Sequence, residues 1–270
     1  MQLLGIESLL NRFPRQLSGG ERQRVALGRA LVRQPAVFLL DEPAANVDVK
    51  LRQELRFLFQ QARRRFPGTM ILVSHDHTEA LALGQRIAVM GRGRIQQIGN
   101  AQQVYDSPRN RFVAEFMGRS AMSFVDGVLR QESDTIFFVC DFGRLALPPS
   151  VARGIASGSG RVSLGWRWDA VTVCAPGLAA KTAWSGIVRW LEANDTGTMA
   201  HLALRAESDD SEATGLGEVA RSGIVMGRVL PPEGIQAGDR IRVEINLDRT
   251  LWFDTQTGNN LRTGTNMAVP

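Results

Sequence analysis

The chain has 270 residues, of which 44% are hydrophobic and 22% charged, the balance of a folded globular protein rather than of a disordered polymer. No apolar run approaches the roughly 20 residues a membrane-spanning helix needs, and the opening Met1 to Phe13 is interrupted by Gly5, Glu7 and Asn11, unlike a secretory leader. Cys140 and Cys174, the only cysteines, are too few for a disulfide framework or the usual zinc site, which predicts reduced cytoplasmic thiols, and a net charge of +5 selects no partner by itself.

Along the chain, Ser18-Gly19-Gly20-Glu21 comes first and opens an arginine-rich helical pattern. Serine followed three residues later by glutamate is a capping-box spacing, so the helix is expected to start at Ser18. Its free N–H groups and positive dipole end suit an anion, and the two glycines allow close approach. Most such sites only cap a helix. Next, Val37-Phe38-Leu39-Leu40 reads as a buried strand ending in Asp41-Glu42, and Met70-Ile71-Leu72-Val73 as a second strand ending in Ser74-His75-Asp76. Ligands of open α/β sheets bind beyond the carboxyl ends of strands, which is where these acids and this imidazole fall. Two adjacent carboxylates there suit a division of labour, one holding Mg²⁺ and the other polarising a water.

Ile87 to Met90 and Arg94 to Ile98 read as two strands joined by a tight turn, and Ala101 to Met117 as one helix. Strands alternating with helices predict a parallel α/β sheet. After about Gly118 short β-rich runs take over, at Ile136 to Val139, Val171 to Val173, His201 to Leu204 and Ile241 to Ile245, separated by Gly, Pro and Asp/Ser clusters. That texture predicts a small all-β barrel or sandwich. The expected domains are therefore residues 1–119 and 120–270.

In this order and spacing the motifs closely resemble the ATP-binding subunit of ABC transporters. Leu17 to Gln23 matches the family's signature, Val37 to Glu42 its Walker B strand, and His75 its switch histidine. Ala45-Asn46-Val47-Asp48 matches the D-loop, departing from the commoner Ser-Asn-Leu-Asp or Ser-Ala-Leu-Asp. Gly99 to Gly118 resembles the segment that follows the core. The β-rich remainder resembles the TOBE domain of sugar and glycerol-phosphate importers, through Met122 to Gly127, Gly165-Trp166-Arg167 and Leu251 to Gly258.

The resemblance implies an α/β fold, an incomplete P-loop NTPase core of the RecA-like kind, followed by a small OB-like TOBE domain. It implies ATP and Mg²⁺ as cofactors, with Glu42 and His75 catalytic, Asp41 at the metal, and Ser18, Gly19, Gly20, Glu21 and Asp48 at the nucleotide. It also implies a second ABC ATPase subunit as head-to-tail partner, transmembrane permease subunits, an indirect solute-binding protein, no nucleic acid, and a cytoplasmic, peripheral place at the membrane. The phosphate loop such an ATPase requires, Gly-x-x-x-x-Gly-Lys-Ser/Thr, has no match among these 270 residues. The only lysines are Lys50, in a helical pattern, and Lys181, in Pro-Gly-Leu-Ala-Ala-Lys-Thr without the preceding glycine. The sequence thus reads as the C-terminal part of such a subunit, inactive alone, whose signature helix meets the γ-phosphate of ATP held by another subunit.

Other readings stay open at this stage. They are a non-catalytic regulatory module built on the β-domain, a polyamine-, iron- or sulfate-type importer subunit, and a soluble ABC ATPase of repair or translation, which the β-domain disfavours. Arg63-Arg64-Arg65 reads as a solvated helix end before a nucleic-acid patch. His75-Asp76-His77 lacks the further ligands of a metal site, and the five tryptophans of the β-rich part are first of all core candidates.

Overall fold

The computed structural model describes residues 4–44, 49–65, 68–118, 122–155, 160–174, 183–194, 197–205, 224–229 and 234–262. They fall into two compact units, the first formed by residues 1–88 with 98–103 and the second by 89–97 with 104–270.

The first unit begins with helix α1, Gly19–Val32, capped as its sequence predicts: Glu21 N–H donates to Ser18 Oγ (3.2 Å) and Ser18 N–H to Glu21 Oε2 (2.7 Å). Strands β1, Val37–Asp41, and β2, Thr69–Val73, pair in parallel with Asp41 opposite Val73. Between them runs α2, Val49–Arg65, and after β2 comes α3, His77–Leu83. Side chains alternate across a strand. One face of the β1–β2 pair carries Phe38, Leu40 and Met70 into a core with Leu27, Leu31, Leu55 and Phe59 from α1 and α2. The other face is open: Val37, Leu39, Ile71 and Val73 are 49, 75, 49 and 55% exposed.

Strands β3, Ile87–Gly91, and β4, Arg94–Gly99, form the expected hairpin. Its two turn residues, Arg92 and Gly93, both have positive φ (51° and 72°), the mirror-image turn whose twist suits a hairpin. The helix expected over Ala101 to Met117 is instead two helices, α4, Ala101–Asp106, and α5, Arg111–Phe116. Pro108 cannot donate to a helix ladder and disfavours helical geometry at Ser107. The Arg109 N–H goes to Gln97 Oε1 (2.7 Å), and Asn110 caps α5 by accepting the Val113 N–H (2.9 Å).

The rest of the second unit is β-rich. Strands β5 (Ser123–Glu132), β6 (Thr135–Cys140) and β7 (Gly143–Ala146), the short helix α6 (Pro149–Ala152), and strands β8 (Arg161–Trp166) and β9 (Val171–Cys174) come first. They are followed by β10 (Ala183–Asn194), β11 (Gly197–Arg205), β12 (Ile224–Val229), β13 (Arg240–Ile245) and β14 (Leu251–Asp254). A five-stranded sheet runs β14-β8-β5-β6-β7, and a closed barrel runs β10-β11-β12-β9-β13. Within the barrel, β12 and β9 pair in parallel and the other neighbours antiparallel. Trp166, Trp184, Trp252 and Phe138, all at most 1% exposed, share one core, where the Phe138 ring meets Trp252 edge-on at 5.3 Å. Trp190 departs from the core expectation. A register shift in β10 next to it leaves it exposed, its ring stacked at 4.1 Å on His201.

Candidate functional site

The parallel register of β1 and β2 brings two of the sequence-predicted catalytic residues together. Both strands end at the same level, so Glu42, the first residue past β1, and His75, the second past β2, come to face one another. Glu42 N–H donates to Val73 O (2.9 Å), which extends the ladder one residue past β1. The Glu42 carboxylate is then engaged twice by His75: Oε1 accepts its backbone N–H at 3.0 Å, and Oε2 lies 2.7 Å from ring Nδ1. Glu42 makes these contacts with its backbone at φ 45°, the left-handed region that a side chain other than glycine adopts at a cost. The hydrogen bond to Glu42 and the charge of that carboxylate hold the His75 imidazole pKa above its ordinary value. Asp41, the last residue of β1, is exposed, and its carboxylate makes no hydrogen bond or ion pair with a described residue.

Ser18, Gly19, Gly20 and Glu21 form a second, separate group. Ser18 and Gly19 are exposed, and a Cβ on Gly19 would meet nothing within 4 Å, so the helix N-terminus is open to a ligand. Glu21 is held below the usual carboxylate range, first by the Ser18 backbone N–H and then by its side chain. Among the described residues no hydrogen bond or ion pair joins this group to Asp41, Glu42 or His75. Asp48, with the whole of Ala45 to Asp48, lies outside the described residues, as does Lys181.

Around His75 the structure adds residues that the sequence reading did not single out. Asp76 caps α3, its Oδ1 accepting the N–H groups of Thr78 (2.8 Å) and Glu79 (3.2 Å). Ser74 Oγ accepts the Asp76 N–H (3.1 Å) and donates to Glu79 Oε2 (2.5 Å), and Glu79 is buried at 2% exposure. The other oxygen, Asp76 Oδ2, meets Arg56 at 2.9 Å and Arg52 at 3.7 Å. Burial pushes the Asp76 carboxyl upward, but the Glu79 N–H, the Arg56 guanidinium and the Thr78 N–H outweigh it and hold its pKa low. The Asp-x-x-Glu spacing of Asp76 and Glu79 carries a capping signal in the sequence. Arg52 and Arg56 look there like ordinary charges on a polar helix.

Asp41 suits a hard cation that keeps most of its ligands as water and phosphate oxygens, since Mg²⁺ commonly takes only one or two carboxylates from protein. Among the described residues no group of three or more His, Cys, Asp or Glu forms a closed metal cage. A single exposed carboxylate such as Asp41 fits Mg²⁺ that arrives with a phosphate ligand.

The family model described as ABC transporter matches residues 1–45. The chain is 51% identical over 146 residues to the trehalose/maltose import ATP-binding protein MalK of Thermococcus litoralis, covering 54% of this chain and 38% of the relative. It is 47% identical over 167 residues to the sn-glycerol-3-phosphate import ATP-binding protein UgpC of Salmonella paratyphi A, covering 62% and 46%. To the ABC transporter ATP-binding protein YurJ of Bacillus subtilis it is 34% identical over 264 residues, covering 95% and 66%. The chain thus spans about two-fifths to two-thirds of the length of these curated relatives. The chain belongs to the family of ABC transporter ATP-binding proteins.

Proposed function

We propose that this chain forms the signature-bearing and catalytic-carboxylate part of the ATP-hydrolysing subunit of an importer, with a sugar or glycerol phosphate as its solute class. The relatives' names support the solute class. The observation that carries the reading is the Glu42–His75 pair at the carboxyl ends of two parallel strands. It supports reading Glu42 as a general base and His75 as a phosphate-sensing imidazole, at the edge where an α/β sheet presents its ligands.

In this reading Asp41 would hold the Mg²⁺ of a nucleotide, which would supply charge neutralisation to its phosphates. Glu42 orients an attacking water. His75 engages both Glu42 oxygens in the present arrangement, one contact to each, and each oxygen keeps a second lone pair with which to accept a proton from water. The Ser18 helix end, open and electropositive, completes the site of a second subunit and meets its γ-phosphate. Asp48 is assigned to the nucleotide in the same way. The uncovered apolar face of β1–β2 supports the reading too, because parallel sheets are normally covered on both faces. A phosphate-loop strand and helix would cover it.

The β-rich residues 120–270 we read as a TOBE-like, OB-like domain, with residues 1–119 as the ATPase part. Permease subunits would hold the assembly at the cytoplasmic face of the membrane. No helix among the described residues is long and apolar enough to cross it. With no glycine-lysine phosphate loop among its 270 residues, the chain alone is expected not to hydrolyse ATP: Asp41, Glu42 and His75 would work only where such a loop is supplied, whereas the Ser18 helix end would complete a partner's site without it.

The test is purification of the protein from its own cells through an affinity tag, with its membrane partners retained. Co-purification of permease subunits with ATPase activity that falls on Ser18→Arg supports the reading. Under trans completion alone, Glu42→Gln changes that activity little. Absence of any permease refutes the importer assignment, and equal loss in both variants refutes the trans role.

A further inference from the structure

We propose that Arg56, with Arg52 beside it, is a positioning residue that clamps Asp76 and thereby holds His75 against Glu42. The inference rests on the proposed roles of Glu42 and His75 and adds residues to them.

Arg52, Arg56, Gln60 and Arg63 succeed one another at spacings of four, four and three, which puts them on one face of α2. That face runs along α3 from end to end. Arg52 and Arg56 reach its N-cap, Asp76, at 3.7 and 2.9 Å. Gln60 Nε2 donates to Ala82 O at 3.4 Å and Arg63 to Leu83 O at 3.1 Å, both in its last turn. The arginines are therefore part of a continuous seam and not isolated surface ion pairs. Side chains of Arg56 and Asp76 are 21 and 22% exposed, so the pair is shielded from solvent far better than a typical surface bridge. Arg56 Nε is itself buried without a hydrogen-bond partner among the described residues, while its Nη2 donates to Asp76 Oδ2.

Asp76 is the residue directly after His75. One of its oxygens is committed to the start of α3 and the other to α2, which fixes the backbone that presents His75. Ser74 on the other side is tied to buried Glu79. His75 thus lies between two anchored neighbours while its own side chain is 78% exposed. Without the clamp, the two His75 contacts to Glu42 and the Ser74–Glu79 tie would have to hold the loop.

The experiment is amide hydrogen exchange and imidazole titration by NMR on the 270-residue chain, in Arg56→Gln, Arg56→Lys and Asp76→Asn. In Arg56→Gln the His75 amide, now bonded to Glu42, is expected to exchange at least tenfold faster, while the Thr69 amide in the β1–β2 ladder stays within twofold. Arg56→Lys is expected to restore most of the protection. Asp76→Asn keeps a capping acceptor, so Thr78 stays protected while His75 does not. The imidazole titration decides between clamp and mere charge. Loss of contact with Glu42 moves His75 down towards its ordinary pKa, whereas simple removal of a nearby cation moves it up or leaves it. An unchanged His75 amide, an upward titration, or equal acceleration of Thr69 would each overturn the proposal. Should Arg56→Gln fail to fold, Asp76→Asn decides by the exchange of the His75 amide against that of Thr69 alone, because loss of the Asp76 charge lowers the His75 pKa with or without the clamp. No nucleotide enters these measurements, so their failure is distinct from failure of the proposed function.

Discussion

Ser18→Ala removes one half of a reciprocal pair. The Glu21 N–H loses its acceptor at 3.2 Å, while the Ser18 N–H keeps Glu21 Oε2 at 2.7 Å. Loss of a serine cap to alanine costs about 0.5–2 kcal/mol. Ser18 is exposed, so water takes up the freed N–H, and the surviving half of the box still ties the turn. Both considerations point to the low end, about 0.5–1 kcal/mol. With a urea slope of about 2 kcal/mol/M, that is a midpoint shift of about 0.25–0.5 M for the transition of the first unit. The assay is urea denaturation followed by circular dichroism, with exchange of the Glu21 amide marking α1 specifically. Ser18→Asp should match wild type and Ser18→Gly should lose only a few tenths of a kcal/mol, because glycine is itself an acceptable cap. The order Asp and Ser above Gly above Ala is the decisive result. Gly worse than Ala, or a loss above about 2 kcal/mol, would refute the capping account.

Four further outcomes are expected. Glu42→Gln should lower the His75 titration midpoint followed by ring NMR. Because folding raises this pKa, the pair's contribution to stability is fully present below the ordinary imidazole value and disappears as pH rises through the raised one. An unchanged midpoint would contradict the pairing. Burial pushes the Cys140 thiol up to about 11, leaving roughly a thousandth of it as thiolate at pH 8, so a thiol reagent should label Cys174 first; Cys140 reacting like a free cysteine would contradict this. Gly127→Ala would place a methyl 2.5 Å from Val139 O and 2.6 Å from the Phe138 ring, for a loss of about 1–3 kcal/mol in thermal or urea melts, whereas Gly19→Ala meets open space and should cost much less. Phe138→Ala empties a fully buried site among Trp184 and Trp252 and should cost about 3–5 kcal/mol, with a change in tryptophan emission; a loss below 1 kcal/mol would mean that the aromatic core is not as described.

What the sequence disclosed is what short-range chemistry dictates. Ser18 and Glu21 are three residues apart and their hydrogen bonds are local, so the α1 start was legible. So were β1 and β2, which stop at Asp41 and at Val73, just before Glu42 and Ser74-His75, because an unbroken apolar run stopping at polar groups marks a strand end. The break between α4 and α5 went against an otherwise sound apolar period. It depends on Pro108 and on where Gln97 and Asn110 direct their hydrogen bonds. Arg52 and Arg56 stayed hidden because their meaning lies in Asp76, twenty residues or more further along the chain, and in a sequence rich in arginine no spacing sets them apart. The pairing of β14 with β8, Leu251 opposite Gly165, is equally remote, and neither strand's composition encodes it.

The order of strands around the barrel governs when it can form. Adjacent strands β10 and β11 make a local hairpin that can zip as soon as both exist. Strand β9, earliest in the chain, has neither of its neighbours nearby: Thr172 pairs with Arg228 and Val173 with Val243. The last arrival, β13, slots between the first strand and the second, Ala183 to Ile187 meeting Arg240 to Glu244 on its other side. Closure therefore waits for residue 245, and until then β9 and β10 present bare edges to anything that can add a strand. Loop-closure entropy makes such remote pairings slow. A chain leaving the ribosome would hold its hairpin early and its barrel late, so the interval before β13 docks is when this protein is most exposed to aggregation and to proteases.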